Sequence, residues 1–511
     1  MLDQESSATT GIVESSPLST DRGKGETVAA MTRQVVLGVD SSTQATKVVA
    51  LDLDDGTVVA SGRAPHGGTD VQHPDQWWSA LQAAVAEVAS PDLTVRGISV
   101  AGQQHGLVTL DADGAPVRAA PLWNNVAAAP DAERLNAAAD FAAAVGSRLV
   151  ASFTIAKLAH LARQSPDDLR RTVAICLPHD YLNLRLTGEL STDRGEASGS
   201  GWWSPSDGQH RRDLLALAVG DEAAARLLLP VVRGPEEPAG TLSADAAAAL
   251  GLPVGLPVGP GTGDNMAAAL GVGAALDEMV ISLGTSGTAF VVASEPAADV
   301  TGEVAGFADA TGRFLPLACM LNCTQVVDTI ATLLGLERSN ALDRAERMAP
   351  GADGLLMMPY LAGERTPNLP AATGSFHGLT GISATPDTLV RAALDGVAAG
   401  LAYCVEALAR LGRTAPVVTL TGGGAVHAAW HQAIADATGL PVVVREGAEH
   451  AARGAALQAA AIVTGATVAD VVARWRPAVI AEVAPRHDLR AAFALDRRRS
   501  MIEAIRSTTV T

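Results

Sequence analysis

The amino-acid sequence predicts an α/β protein built as two lobes, and three observations carry that prediction. A strand, turn, strand pattern opens the chain after residue 31 and recurs from residue 279, a strand, glycine turn, helix, strand unit follows at 417–444, and 511 residues are too many for one small domain. In chain order, an apolar strand over 35–40 leads through Ser41-Ser42-Thr43-Gln44-Ala45 into a second strand over 46–53. Asp54-Asp55-Gly56 then turns it into a third over 57–64. Pro74 and Asp75 start a helix to residue 88 whose Trp78, Leu81, Val85 and Val88 fall at helical spacing, and a strand follows over 95–101. The second copy reads as a strand over 279–283, the turn Gly284-Thr285-Ser286-Gly287, and a strand over 288–293. The third unit has Gly422-Gly423-Gly424 between strand 417–420 and a helix, with strand 440–444 after it. A proline- and glycine-rich stretch over 253–263 separates the halves, so the lobes are expected at 32–275 and 276–511.

Composition narrows the function. There are 37 lysines and arginines against 55 aspartates and glutamates, and the net charge of -18 opposes nucleic-acid partners and adhesion to anionic membranes. Uncharged stretches such as 246–263 are broken by glycine and proline, and no run is expected to cross a bilayer. Cys176, Cys319, Cys323 and Cys404 show no Cys-x-x-Cys spacing and read as reduced core residues of a cytoplasmic protein. Residues 1–31, rich in Ser, Thr, Glu and Gly, lack the apolar centre of a secretory signal. They read as a disordered extension or as sequence upstream of a start at Met31.

The glycine- and hydroxyl-rich turns that follow strands present backbone N–H groups to phosphate oxygens, although a tight hairpin needs the same residues for its own geometry. No Gly-x-x-x-x-Gly-Lys-Ser/Thr occurs, and Gly261-Thr262-Gly263 lacks the third glycine of a dinucleotide fingerprint. Asp264 precedes the alanine-rich helix that starts near Met266, where it is either a helix cap or a base accepting a hydroxyl proton during phosphoryl transfer. Gln103-Gln104-His105-Gly106 leaves the end of strand 95–101, where side chains face a cleft or simply satisfy a loop. Asp40, at the end of the first strand, either caps its turn or organises the water shell of a phosphate-bound Mg²⁺. Trp202-Trp203 read as packing residues and Arg497-Arg498-Arg499 as a solvated helix face.

Several ordered blocks resemble the FGGY family of carbohydrate kinases. They are Gly38-Val39-Asp40-Ser41-Ser42-Thr43-Gln44 with Lys47, Ala101-Gly102-Gln103-Gln104-His105-Gly106, Leu177-Pro178-His179-Asp180-Tyr181-Leu182, Thr192-Asp193 with Ala197-Ser198-Gly199, Gly263-Asp264-Asn265, Ser282-Leu283-Gly284-Thr285-Ser286-Gly287, Gly363-Glu364-Arg365-Thr366-Pro367 and Gly422-Gly423-Gly424-Ala425. The resemblance implies two actin-like (ribonuclease-H-like) lobes, a sugar-binding first and a nucleotide-binding second, with the active site between them. It implies ATP-dependent phosphorylation of D-xylulose at the C5 hydroxyl with Asp264 as base, Mg²⁺ on the ATP phosphates, and a homodimer as a compatible assembly. Gln104, His105, Asn265 and, more weakly, Arg148 match sugar contacts; Asp40 and Thr43 belong to a first phosphate loop, Thr285 to a second, and Gly423 and Gly424 to an adenosine loop. Ribulose or gluconate is the alternative acceptor. A non-catalytic binding protein is the other alternative, because Trp123-Asn124-Asn125-Val126-Ala127 stands where the family carries Trp-Asn-Asp-x-Arg. Val426-His427 and Arg453 also depart from the family, and both are expected near the nucleotide.

Overall fold

The computed structural model describes residues 32–486, 489 and 492–509; residues 1–31, with the expected extension and start at Met31, lie outside the described residues. Two seven-stranded sheets follow one plan. In the first, Arg33–Ser41, Ala45–Asp52 and Val58–Pro65 form an antiparallel meander, and Leu93–Gly102 lies parallel to Arg33–Ser41 on its other side. In the second, Met279–Leu283, Gly287–Val291 and Phe314–Met320 repeat the meander, and Val418–Thr421 and Val442–Arg445 extend it in parallel. The duplicated opening read from the sequence is therefore present, with strand ends moved by one or two residues.

Local chemistry explains the boundaries. Gly56, at φ 74°, takes the left-handed position of the first hairpin, and Asp55 accepts the N–H of Thr57 at 2.9 Å. Helix Pro74–Val88 begins with proline at its first turn, and buries Trp77, Trp78, Leu81, Val85 and Val88 against strands Ala45–Asp52 and Val58–Pro65 of the meander. Trp202 and Trp203 are buried as expected, and all four cysteines are buried free thiols.

Helix Pro386–Arg410 has the length and mean hydropathy (1.4) of a membrane span, and 78% of its apolar window is buried in the second core. One expectation is corrected. Arg498 is not on a solvated face. It is 5% exposed and donates to the carbonyls of Phe493 at 2.9 Å and Met357 at 2.5 Å, fixing the C-terminal helix Leu495–Thr509, while its neighbour Arg499 pairs at the surface with Glu406.

The halves meet through two helices. Asp264–Gly271 crosses His450–Thr464, which comes late in the chain yet lies on strands Arg33–Ser41 and Leu93–Gly102 of the first sheet. The crossing brings backbones into contact. A Cβ on Gly454 would sit 1.8 Å from the Ala267 carbonyl oxygen, one on Gly271 1.8 Å from that of His450, and one on Gly38 1.9 Å from that of Ala452. Backbone cannot yield as a flexible side chain can, so Gly454→Ala is expected to cost about 3 kcal/mol or more. Gly423→Ala, whose Cβ meets nothing within 4 Å, should leave stability unchanged. Thermal unfolding of the two variants beside the parent checks the contrast.

Candidate active site

Strand register assembles the site. Asp40 and Thr262 both pair with Ala101, from opposite sides, so the ends of three adjacent strands are level. Two strand spacings, about 10 Å, separate the outer chains. Asp40 ends the first strand, Gln103-Gln104-His105 leave the middle one, and Asp264 follows the short strand Thr262–Gly263 as the first residue of its helix. Asp264 is thus one place inside the helix, with Gly263 at the cap.

The Asp264 carboxylate accepts two hydrogen bonds on Oδ1, from the N–H of Asn265 at 2.8 Å and from its Nδ2 at 2.9 Å. Oδ2 accepts none among the described residues. Burial pushes the carboxyl up from 3.8 to about 6, against those two bonds. Asp40 is 5% exposed, and burial raises it to about 7; Lys47 lowers it, while the Asp264 and Glu449 charges add to the rise. Its Oδ2 lies 3.9 Å from Lys47 Nζ, its Oδ1 has no partner, and Lys47 donates to Glu449 at 2.6 Å. An unpartnered buried carboxylate oxygen fits the water shell of a divalent cation.

Asn265 links the groups. Its Nδ2 also approaches Gln104 Oε1 at 3.4 Å, and its Oδ1 accepts from Thr288 of the second lobe at 2.9 Å. Gln104 Nε2 is buried without a partner, free to donate to a ligand. His105 holds φ 67°, unusual for a non-glycine residue, and its ring packs on Phe153 at 4.8 Å and on Phe307 of the second lobe at 5.5 Å. Burial, then the charges of Arg365 and Lys157, hold its imidazole well below 6.5. The ring is therefore neutral, and the Gly199 carbonyl 2.8 Å from Nδ1 fixes the proton there, leaving Nε2 as acceptor. Lys157, which the sequence reading passed over, donates to the His105 carbonyl at 3.0 Å and to that of Ser152. A lysine among the buried positions of helix Thr154–Gln164 was the available signal.

Thr43 is tied down by its surroundings: its Oγ1 accepts from the Trp123 indole at 2.9 Å and donates to Gln103 at 3.3 Å, and its carbonyl accepts from Gln72 at 2.7 Å. Thr285 is exposed at the tip of the second turn, whose Gly284 carbonyl accepts the N–H of Thr324 at 3.1 Å and its hydroxyl at 2.8 Å. Gly424 is packed so that a Cβ would lie 2.8 Å from Leu283 Cβ, and with Gly423 it borders a cavity of about 190 Å³ that Thr324, Arg338, Val426 and His427 help to line.

Three residues are elsewhere. Arg148 pairs with Glu133 at 2.9 Å. Arg453 does not line the cavity beside Gly423 and Gly424: it is 8% exposed, donates to the carbonyls of Gly271 at 2.9 Å and Trp475 at 2.5 Å, and so caps the far end of the Asp264 helix. Asn125 donates to Asp70 at 2.8 Å, where a carboxylate in its place would be repelled.

The chain matches the models of the FGGY family of carbohydrate kinases, N-terminal domain over residues 35–271 and C-terminal domain over 279–462. It is 46% identical to the xylulose kinase of Streptomyces coelicolor over 456 residues, covering 87% of this chain and 91% of that one. It is 45% identical to the xylulose kinase of Streptomyces rubiginosus, at 87% and 91% coverage. The crystal structure of xylulose kinase from Bifidobacterium adolescentis superposes with a TM-score of 0.78 at 35% identity, covering 91% of this chain and 99% of that one. Two sheets of one plan, a carboxylate at a helix start between them and family models that take in most of the sequence agree: the chain belongs to the FGGY family of carbohydrate kinases.

Proposed function

We propose that this protein is an ATP-dependent xylulose kinase that transfers the γ-phosphoryl group of ATP to the C5 hydroxyl of D-xylulose. The observation that carries the reading is the Asp264 carboxylate, held through Oδ1 by Asn265 and open at Oδ2, level with Gln104 and Asp40 at the strand ends. Relatives at 45% and 46% identity, each matched over 87% of this chain, are xylulose kinases, which supports the acceptor.

In this reading the C5 oxygen attacks the γ-phosphorus, the bond from that phosphorus to the β,γ-bridging oxygen breaks, and the hydroxyl proton passes to Asp264 Oδ2, leaving ADP and the sugar 5-phosphate. Gln104 Nε2 donates to a sugar oxygen, His105 Nε2 accepts from a hydroxyl, and Asn265 shares its amide between the base and the sugar. Thr43 and the Thr285 turn receive the phosphates, and Gly423 and Gly424 give the nucleoside room to lie on backbone. Asp40 would hold the Mg²⁺ that accompanies ATP, and the ion would offset negative charge on the phosphates. Nucleic acid and membrane have no part in this reading, and a homodimer is compatible with it.

ADP release with Mg-ATP across D-xylulose, D-ribulose, glycerol and D-gluconate tests the acceptor, with D-xylulose expected to lead. Asp264→Asn should lower kcat by about 10³-fold while ATP still binds, because the amide cannot take the proton. In the parent, kcat/KM should rise with pH through about 6, well above the 3.8 of an ordinary aspartate, as Asp264 ionises. Stability should run the other way. A carboxyl raised on folding adds stability below its unfolded value and loses it as pH climbs through about 6, so Asp264→Asn should raise Tm at pH 8 more than at pH 4.

A further inference from the structure

One fully buried residue in the block 177–182 is used by none of these steps. His179 is 0% exposed and stands between the two chain segments that carry the site. Its Cβ end faces strand Leu93–Gly102, which leads into Gln104 and His105: a Cβ on Gly102 would sit 2.8 Å from His179 Cβ. Its ring tip faces the turn that leads into Asp264: Gly261 holds φ 72°, and a Cβ there would collide with Nε2. Thr262 and Gly263, which follow that turn, pair with Ala101 and Gly102. One side chain thus fills the space that both glycines leave, next to the strand pair from which Gln104, His105 and Asp264 emerge.

The ring is bound at both ends. Nε2 lies 2.9 Å from the Pro260 carbonyl oxygen, which has no proton to give, so Nε2 carries the hydrogen of that bond. The Asn183 amide nitrogen, 3.0 Å from Nε2, donates to the same oxygen at 2.9 Å. Nδ1 lies 3.0 Å from Asp180 Oδ1, while Asp180 Oδ2 accepts the N–H of Leu177 at 2.8 Å, so the carboxylate is an acceptor on both oxygens and Nδ1 donates too. Burial lowers the pKa of the imidazole, but the Asp180 hydrogen bond and charge, the Asp193 charge and the Pro260 carbonyl outweigh it and leave the group above 6.5. The rest of the turn is held from other sides, Gly261 through its carbonyl by Gln458 at 3.1 Å and Thr262 through its hydroxyl by Asp193 at 2.7 Å. His179 links the turn to the strand end at Gly102.

Resting on the reading of Asp264 as base, we propose that His179 is a positioning residue for phosphoryl transfer: donating at both ends, it sets the distance between the chain that carries Asp264 and the chain that carries Gln104 and His105. In that reading the base takes a proton from a sugar that Gln104 and His105 hold, so an error in the spacing moves Oδ2 off the reacting hydroxyl and leaves the nucleotide side of the site untouched. Displacement by about 1 Å costs up to about 10²-fold in rate.

The test uses the full-length enzyme at saturating Mg-ATP and D-xylulose. In His179→Gln the amide nitrogen can still reach the Pro260 carbonyl, in His179→Asn it reaches only the Asp180 side, and His179→Leu keeps the bulk and donates to neither. We expect kcat to fall about 30-fold in His179→Leu and His179→Asn and no more than about fivefold in His179→Gln, with KM for ATP within about twofold throughout. His179→Leu is also combined with Asp264→Asn. With the base gone its placement no longer matters, so the residual rate should drop less than about threefold further. Circular dichroism and thermal unfolding identify a variant that does not fold; if His179→Leu is one, His179→Asn takes its place in both comparisons. A kcat within about twofold of the parent in folded His179→Leu or His179→Asn would overturn the proposal, as would equal rates in His179→Gln and His179→Asn, or the same fold-loss with and without the Asp264 carboxylate. Should the parent prefer another acceptor, the xylulose reading fails alone, and the same comparison on that acceptor supports or overturns the role of His179. Near-parental kcat in Asp264→Asn removes the base, and this role with it.

Discussion

The contact on which the rest depends is the crossing of helices Asp264–Gly271 and His450–Thr464 over strand Arg33–Ser41. Gly38, Gly271 and Gly454 let main chain touch main chain there, with less than 2 Å between each absent Cβ and a facing carbonyl oxygen. Packing this close leaves no slack, so the N-terminus of the first helix, and with it Asp264, is set by backbone geometry and not by adjustable side chains. Arg453 completes the arrangement from the second helix by bonding the Gly271 carbonyl at the first helix's other end. The helix that positions the carboxylate is thus held at its middle by glycine contacts and at its C-terminus by a buried cation.

The same crossing makes the electrostatics of the site. With water excluded, Asp40 and Asp264 are pushed to about 7 and about 6, and the charge of Asp264 adds to the rise at Asp40. Two carboxyls that resist ionising together form a receptive place for positive charge, which a nucleotide's metal ion brings. Among the described residues the cation paired with Asp40 is Lys47, 3.9 Å away and drawn to Glu449 at the start of the crossing helix. One side chain therefore ties the first hairpin to a segment 402 positions later in the chain.

Much of this was legible in the residues. Hairpin order, duplication, and the positions of Asp40, Gln104, His105 and Asp264 follow from strand periodicity and from polar residues at strand ends, because both signals are local. What escaped was long-range. Nothing in the local pattern shows that His450–Thr464 lies under the first sheet, so Arg453 was expected near the nucleotide when it caps the Asp264 helix. Lys157 sits among buried helix positions and declares itself only once His105 takes φ 67° and its carbonyl needs a donor. Arg498 looked solvated because its two neighbours are also arginines, while helix rotation turns it alone into the core.

Both walls of the pocket are needed for its chemistry. His105 is gripped on one side by Phe153 of its own lobe and on the other by Phe307 of the second, and Asn265 reaches Thr288 across the same divide. Any movement that parts the lobes must break the Thr288 contact and bare the His105 ring, loosening the residue beside the base and admitting water to the pocket together. In the proposed reading, a sugar held between the two walls opposes that movement. Sugar binding and water exclusion are then one event, which is the condition under which a kinase spends ATP on its acceptor and not on hydrolysis.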